Sequence, residues 1–243
     1  MNKTESTPLT THTFEVNGTT RSYLSNDEVP TPKYIVIVFH GNGGTAEGFA
    51  KKYVLQNIFS EGLIVYLQGI PGIGGGFDPK GLKNGWQRKK GDGEDRDLYA
   101  IDMLVKHLKS TYPKLKDKIY AMGHSNGGRF TYLLWSERAG LFNGFIINAH
   151  QGVDLLGAEL EPRSAMIITG RQDRVVNNAN QLKSADLVQS LLQCDSHEII
   201  NDELTIYRNI KTGLKLHHYI HLGGHDLPKP ALKFIAAFLE GSR

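Results

Sequence analysis

In the hexapeptide Gly123-His124-Ser125-Asn126-Gly127-Gly128, a serine is pinched between glycines. The run Lys118-Ile119-Tyr120-Ala121-Met122 before it reads as a buried strand. The run Arg129 to Trp135 after it reads as the opening of a helix. A serine at such a sharp strand-to-helix turn is held in a strained backbone conformation, which neighbours without Cβ atoms permit. Its hydroxyl then stands clear of the sheet. The helix N-terminus beneath it offers a backbone N–H to developing negative charge.

A serine hydroxyl is a poor nucleophile at neutral pH. It needs a base within hydrogen-bond reach, and the base needs a third group to fix its tautomer and orientation. Of ten histidines, His225 in Gly223-Gly224-His225-Asp226 is the expected base. It follows the last expected strand, and the glycine pair lets a loop carry its imidazole over the turn. His217, His218 and His221 fall within a strand and read as structural or surface groups, and His40 reads as packed beneath a glycine loop. Asp173 is the expected acid, leaving the strand before the histidine strand. Asp154 is the alternative, better read as a loop cap. Activity should then rise with pH as the imidazole loses its proton. An oxyanion hole needs two donors. The N–H groups of Asn126 and Asn42 are expected to supply them, with Gly41 or Gly43 as alternatives to Asn42. Gln68, Trp86 and His124 are weaker candidates for touching substrate, and Trp86 could equally pack inside.

The elements that must position these groups follow from the pattern of apolar residues. Thr11–Val16 and Thr20–Leu24, split by Asn17-Gly18, read as a hairpin. Tyr34–Phe39 and Leu63–Leu67 are continuous apolar runs typical of strands buried on both faces. Further strands are expected at 142–149, 165–169, 204–210 and 214–222. Helices are expected at 46–59, through Leu98 to Leu108, through Leu182 to Leu192, and from Pro228 or Pro230 onward. Gln68 to Gly93 is a long glycine-rich loop. Its charges, Lys80, Lys83, Arg88, Lys89 and Lys90 against Asp92, Glu94, Asp95 and Asp97, read as a solvated surface. Strands alternating with helices imply one α/β domain over 1–243, with a mainly parallel sheet, helices on both faces and no large cap; residues 1–10 are expected to be disordered. His40, Gln68, Ser125, His150, Asp173 and His225 each lie just past an expected strand end, so they should share one edge of the sheet.

Composition excludes other classes. No apolar run approaches membrane-spanning length, so no membrane partner is expected. A net charge of +3 is too mild to argue for nucleic acid. No cofactor or metal is expected, because neither H-E-x-x-H nor paired Cys/His spacing occurs. Gly72-Ile73-Gly74-Gly75-Gly76 lacks the Lys-Ser/Thr ending of a phosphate loop. Cys194 is the only cysteine, so no intrachain disulfide can form, and residues 1–13 lack the apolar stretch of a signal peptide. As it stands the chain reads as cytoplasmic, or as secreted if a signal has been trimmed.

Taken together, His40-Gly41-Asn42-Gly43-Gly44 after a strand, Gly123–Gly128, the Gly170/Asp173/Val176 pattern and Gly223-Gly224-His225 resemble the α/β-hydrolase superfamily. The likeness is to its polyhydroxybutyrate depolymerase and feruloyl esterase group and runs from about Tyr34 to Leu239. It implies a serine esterase working through an acyl-enzyme on cell-wall esters or short polyesters, with a small-molecule or polymer ester as partner. The stretch from Ala149 to Pro162 leaves little room and reads as a short loop where a lid could otherwise be inserted. An open cleft walled by the 68–93 loop, favouring short acyl groups, is therefore expected.

Overall fold

A computed structural model describes residues 7–76, 78–157 and 159–241. The chain opens with β1 (Thr10–Val16) and β2 (Thr19–Ser25), joined through Asn17 and Gly18, both at positive φ. There follow β3 (Tyr34–Phe39), α1 (Ala46–Tyr53), α2 (Leu55–Ile58), β4 (Gly62–Leu67) and α3 (Arg96–Thr111). Next come β5 (Ile119–His124), α4 (Asn126–Arg138), β6 (Gly144–Asn148), β7 (Ser164–Gly170) and α5 (Asn178–Leu191). The chain closes with β8 (Ser196–Ile199), β9 (Leu204–Arg208), β10 (Lys215–His221) and α6 (Ala231–Leu239).

These strands form one sheet in the order β1-β2-β4-β3-β5-β6-β7-β10-β9-β8. The centre, β4 to β10, is parallel, and both edges are antiparallel. Alternation along β3 splits the core. Ile35, Ile37 and Phe39 pack with residues of α3, α4 and α5, while Tyr34, Val36 and Val38 pack with α1, α2 and α6. A strand buried on both faces must be apolar at every position, which is why the run Tyr34–Phe39 carries no polar residue. From β3 the chain crosses to β4 on one side and then returns to β5 on the other, so the order reverses between β3 and β5. The carboxyl ends of strands at such a reversal are where open α/β sheets leave a crevice.

Three expectations need correction. The helix expected over 46–59 is two helices, because Val54 takes a left-handed conformation (φ 48°, ψ 45°) that ends α1. The edge strand β8 was not expected. Its residues are exposed or half-buried, so it carries no core signal in the sequence. Of residues 1–10, expected to be disordered, residues 1–6 lie outside the described residues. Thr10, however, already belongs to β1, Leu9 packs against the core, and the Thr7 amide donates to Asn57 Oδ1 at 3.0 Å.

Burial has a consequence for acid stability. His217 and His218 are consecutive residues of β10, buried on opposite faces of the sheet, and His217 Nδ1 and His218 Nε2 have no hydrogen-bond partner among the described residues. Burial pushes both imidazoles down to about 4, with Lys215 and Arg208 adding to the effect at His217. Between the ordinary imidazole value of about 6.5 and that lowered value, the unfolded chain binds protons that the folded chain refuses. Stability is therefore full above pH of about 6.5. It falls as pH drops toward about 4, by at most about 1.4 kcal/mol per pH unit for each histidine. The thermal unfolding midpoint should drop through this window, and less so in a His218→Leu variant. A midpoint that is flat from neutral pH to 4.5 would contradict the linkage.

Candidate active site

The turn carrying Ser125 is one that only glycines allow. β5 ends at His124 and α4 begins at Asn126, leaving Ser125 between them at φ 55° and ψ −121°. A Cβ on Gly123 would lie 2.1 Å from the Gly127 carbonyl oxygen, and one on Gly127 would lie 2.2 Å from the Phe39 carbonyl oxygen. Both flanking glycines are thus required by close backbone approach, and α4 is pressed against the end of β3. The Ser125 amide donates to the Asn148 carbonyl at 3.0 Å, which fixes the turn against β6.

The loops after β7 and β10 also touch. A Cβ on Gly170 would lie 2.2 Å from the Gly224 carbonyl oxygen, and the Gln172 amide donates to the Gly223 carbonyl at 3.0 Å. Asp226 binds Lys52 Nζ at 2.8 Å and the Tyr53 hydroxyl at 3.2 Å, which ties the second loop to α1. Three distant side chains meet as a result. His225 Nε2 lies 2.7 Å from Ser125 Oγ, and His225 Nδ1 lies 2.9 Å from Asp173 Oδ2.

The environment of Asp173 assigns the tautomer. Its Oδ1 accepts from the amides of Val175 at 2.8 Å and Val176 at 3.0 Å, and its Oδ2 also accepts from Gln181 Nε2 at 2.8 Å. Burial pushes this carboxyl up. The hydrogen bonds from the Val176 amide, His225, the Val175 amide and Gln181 outweigh it, and the net shift is downward. An ionised carboxylate only accepts, so the proton of a neutral His225 sits on Nδ1. Nε2 is then left as the acceptor for the Ser125 hydroxyl, which is the arrangement a general base needs.

Backbone N–H groups of α4 and of the loop after β3 come near Ser125. As the first residue of α4, Asn126 has an N–H with no carbonyl four residues back to receive it. In the loop after β3, the Gly43 amide is committed to the Asn84 carbonyl at 2.7 Å and the Gly44 amide to the Gly41 carbonyl at 3.0 Å. That removes Gly43 as a donor and leaves Asn42 and Gly41. Asn42, Ser125 and Asn126 line one cleft of about 290 Å³.

The 68–93 loop supplies one part of the cleft through Ile73, Gly75, Gly76 and Arg88. Val175, Val176, Asn177 and Asn180 supply another. The loop is anchored by buried polar groups. Asp97 Oδ1 binds Arg21 Nη1 at 2.8 Å, its Oδ2 accepts from the Gln87 amide at 2.8 Å, and Gln87 Oε1 accepts from the amides of Asp97 and Leu98 at 3.0 Å each. Arg129 Nε donates to the Arg88 carbonyl at 2.8 Å, while its two terminal nitrogens hold Asp154 at 2.6 and 2.7 Å.

Several expected site residues lie elsewhere than the sequence suggested. Trp86 borders the cleft but is 1% exposed, stacked on Phe130, with its indole N–H given to the His40 carbonyl. It is therefore a packing group and not a stacking wall. Gln68 does not line the cleft, because its carboxamide is used by the Ala46 amide and the Gly69 carbonyl. His124 faces Asn148, 2.6 Å from its Nδ1, with its ring 5.2 Å from that of His225; burial, with His225 adding, lowers it to about 4. Asp154 is held by Arg129 and has no part in the Ser125 constellation. Asp97 is buried and Arg88 borders the cleft, so neither belongs to a solvated charged surface.

Other lining residues gave no sequence signal. Arg88 sits among like charges, and Asn177 and Asn180 look like an ordinary helix start. His150 also lines the cleft. Burial lowers its imidazole to about 4, opposed by the Gln151 carbonyl and assisted by Arg129 and Arg88, so it is neutral at neutral pH. No group of three or more His, Cys, Asp or Glu side chains among the described residues is arranged to hold a metal ion. No helix among them is long and apolar enough to cross a membrane.

No family model matches the sequence, and no curated protein matches it. Solved structures do resemble the fold. An esterase described as cold-adapted, from an Arctic intertidal metagenomic library, is 13% identical with a TM-score of 0.66; the match covers 99% of this chain and 96% of that one. Acetyl xylan esterase from Aspergillus awamori is 14% identical with a TM-score of 0.64, covering 94% and 100%. A carboxylesterase from Bacillus cereus is 14% identical with a TM-score of 0.59, covering 92% and 95%. At these identities the likeness is one of architecture, and the architecture is the α/β-hydrolase fold.

Proposed function

We propose that this chain is a serine carboxylic-ester hydrolase. The observation that carries the reading is the continuous hydrogen-bonded line from Ser125 Oγ through His225 to Asp173. Ser125 Oγ attacks the ester carbonyl while His225 Nε2 takes its proton, and Asp173 stabilises the imidazolium that results. The tetrahedral oxyanion accepts from the N–H groups of Asn126 and Asn42. Collapse breaks the carbon–oxygen bond to the alcohol, which leaves with the proton from His225, and an acyl-enzyme remains. Water, deprotonated by His225, then attacks the acyl carbon. The acid is released and the proton returns to Ser125.

The form of the cleft supports a substrate class. At about 290 Å³ it sits at the small end of ligand sites. The chain between β6 and β7, residues 149–163, carries no helix or strand among its described residues that could act as a lid. Short, accessible acyl groups fit such a site, as in acetyl or feruloyl esters of cell-wall type or short polyesters. That the neighbours in architecture include an acetyl xylan esterase and a ferulic acid esterase agrees with this reading. A series of nitrophenyl esters should peak at acyl chains of two to about four carbons and fall by at least about tenfold at twelve, since a cleft of about 290 Å³ is too small to enclose the longer chain. Peptide amides run alongside should turn over far more slowly. A maximum at long acyl chains, or faster cleavage of the amides, would overturn the proposal.

A further inference from the structure

Among the described residues, Arg88 is the one lining residue of the cleft that carries a permanent formal charge. It is half-buried, and its guanidinium makes no ion pair or hydrogen bond among the described residues; only its backbone is engaged, with Asp92 and Arg129. Its neighbours differ. Arg21 and Arg96 reach Asp97, and Arg129 holds Asp154. Of the nearby carboxylates, Asp95 accepts from Gln87 and the Gly91 amide through Oδ1, and Asp92 accepts from the amides of Arg88 and Lys89 through Oδ2; neither pairs with the Arg88 guanidinium.

The loop is also shaped around this guanidinium. A Cβ on Gly75 would lie 2.8 Å from Arg88 Nη1, and one on Gly76 would lie 3.2 Å from it. Side chains at either position would crowd Arg88, and Gly75 and Gly76 line the same cleft. This accounts for part of the glycine run that resembles a phosphate loop in sequence. Two further features share the sign. α5, fourteen residues long, begins at the cleft, where Asn177 and Asn180 line it, so the positive end of its dipole faces the same space. Among the described residues, no acidic side chain lines the cleft.

A half-buried arginine whose guanidinium has no partner among the described residues, in the same cleft as Ser125, is suited to receive an anion. Its planar fork suits a carboxylate, and such charge-assisted bonds are the strong ones. We infer that the ester turned over here carries a free carboxylate, which Arg88 binds while the ester carbonyl sits at Ser125. The inference rests on the ester-hydrolase reading of the site and narrows it to acidic esters.

The test compares charged substrates with neutral partners of matched size. Monomethyl adipate against methyl hexanoate puts the charge on the acyl side. 4-Acetoxybenzoate against 4-acetoxybenzamide puts it on the alcohol side. In the wild-type protein, kcat/KM should favour the charged member by about tenfold in at least one pair. Arg88→Gln should bring that ratio to about one, Arg88→Lys should retain part of it, and Lys89→Gln, on the exposed part of the same loop, should leave it intact. A neutral preference in both pairs, a ratio surviving in Arg88→Gln, or an equal loss in Lys89→Gln would overturn the inference.

Binding of adipate to Ser125→Ala protein, measured by calorimetry, separates this outcome from failure of the ester reading. Adipate should bind and weaken by about tenfold when Arg88→Gln is added. Arg88-dependent binding in a protein that splits no ester would sink the hydrolase reading and leave the anion site standing. Ester turnover with no such binding would do the reverse.

Discussion

Ser125→Ala is expected to lower ester turnover by roughly a millionfold while leaving the fold intact. Ser125 Oγ is the atom hydrogen-bonded to His225 Nε2, and its loss leaves the imidazole with no nucleophile to activate. What survives is cleft binding and the two backbone donors, which can still assist slow attack by water. The variant should fold because alanine keeps the Cβ. The backbone strain at φ 55° is the same for both residues, and the amide bond to the Asn148 carbonyl is untouched. Kinetics should therefore collapse while the unfolding midpoint stays close to that of the parent. A fluorophosphonate probe offers a second readout, since it should label Ser125 in the parent and nothing in the variant. Turnover within tenfold of the parent, or undiminished labelling, would mean that another group performs the chemistry.

The fold and the centre of this site could be read from the sequence because each rests on a local rule. Tyr34–Phe39 and Leu63–Leu67 announce buried strands by being apolar throughout, and helix patterns fall between the strands. Ser125, Asp173 and His225 lie just past strand ends, and a parallel sheet gathers such positions on one edge. The glycines around Ser125 stand where a Cβ would lie 2.1 and 2.2 Å from backbone oxygens, so the motif is a record of packing as much as of chemistry. What stayed hidden depends on contacts between distant segments. Trp86 reads equally as a substrate wall or a packing group until Phe130 and the His40 carbonyl are seen to use both its face and its N–H. Arg88 and Asp97 carry the same kind of charge as their solvated neighbours, and only the packing of α3 and β2 against the loop distinguishes them. Val54 breaks a helix with a left-handed residue that no propensity favours, and β8 is too polar to signal an edge strand.

Asp173→Asn should lower kcat by about ten-thousandfold at neutral pH, although it removes only one charge and almost no volume. The reason lies in which atoms donate. Asp173 receives four hydrogen bonds, two at each oxygen. An asparagine has one oxygen, and the amides of Val175 and Val176 cannot turn away, so that oxygen is drawn to the Oδ1 position. The NH₂ group then occupies the Oδ2 position, where it faces Gln181 Nε2 and His225 Nδ1. Gln181 cannot easily rotate to accept, because its Nε2 also donates to the Val176 carbonyl at 3.0 Å. His225 can adapt by moving its proton to Nε2 and accepting at Nδ1. In that tautomer Nε2 donates toward Ser125 Oγ and no longer takes its proton, so geometry is kept while the base is lost. Asp173→Ala would instead leave the Val175 and Val176 amides and Gln181 without their buried acceptor, and should cost stability as well as activity. The two variants together separate orientation of the imidazole from support of the loop. The expected pattern is a large fall in kcat for both, with an unfolding midpoint somewhat lowered in Asp173→Asn, where two buried donors face each other, and lowered further in Asp173→Ala. If Asp173→Asn kept its turnover within tenfold of the parent, the carboxylate would not be the group that fixes the base.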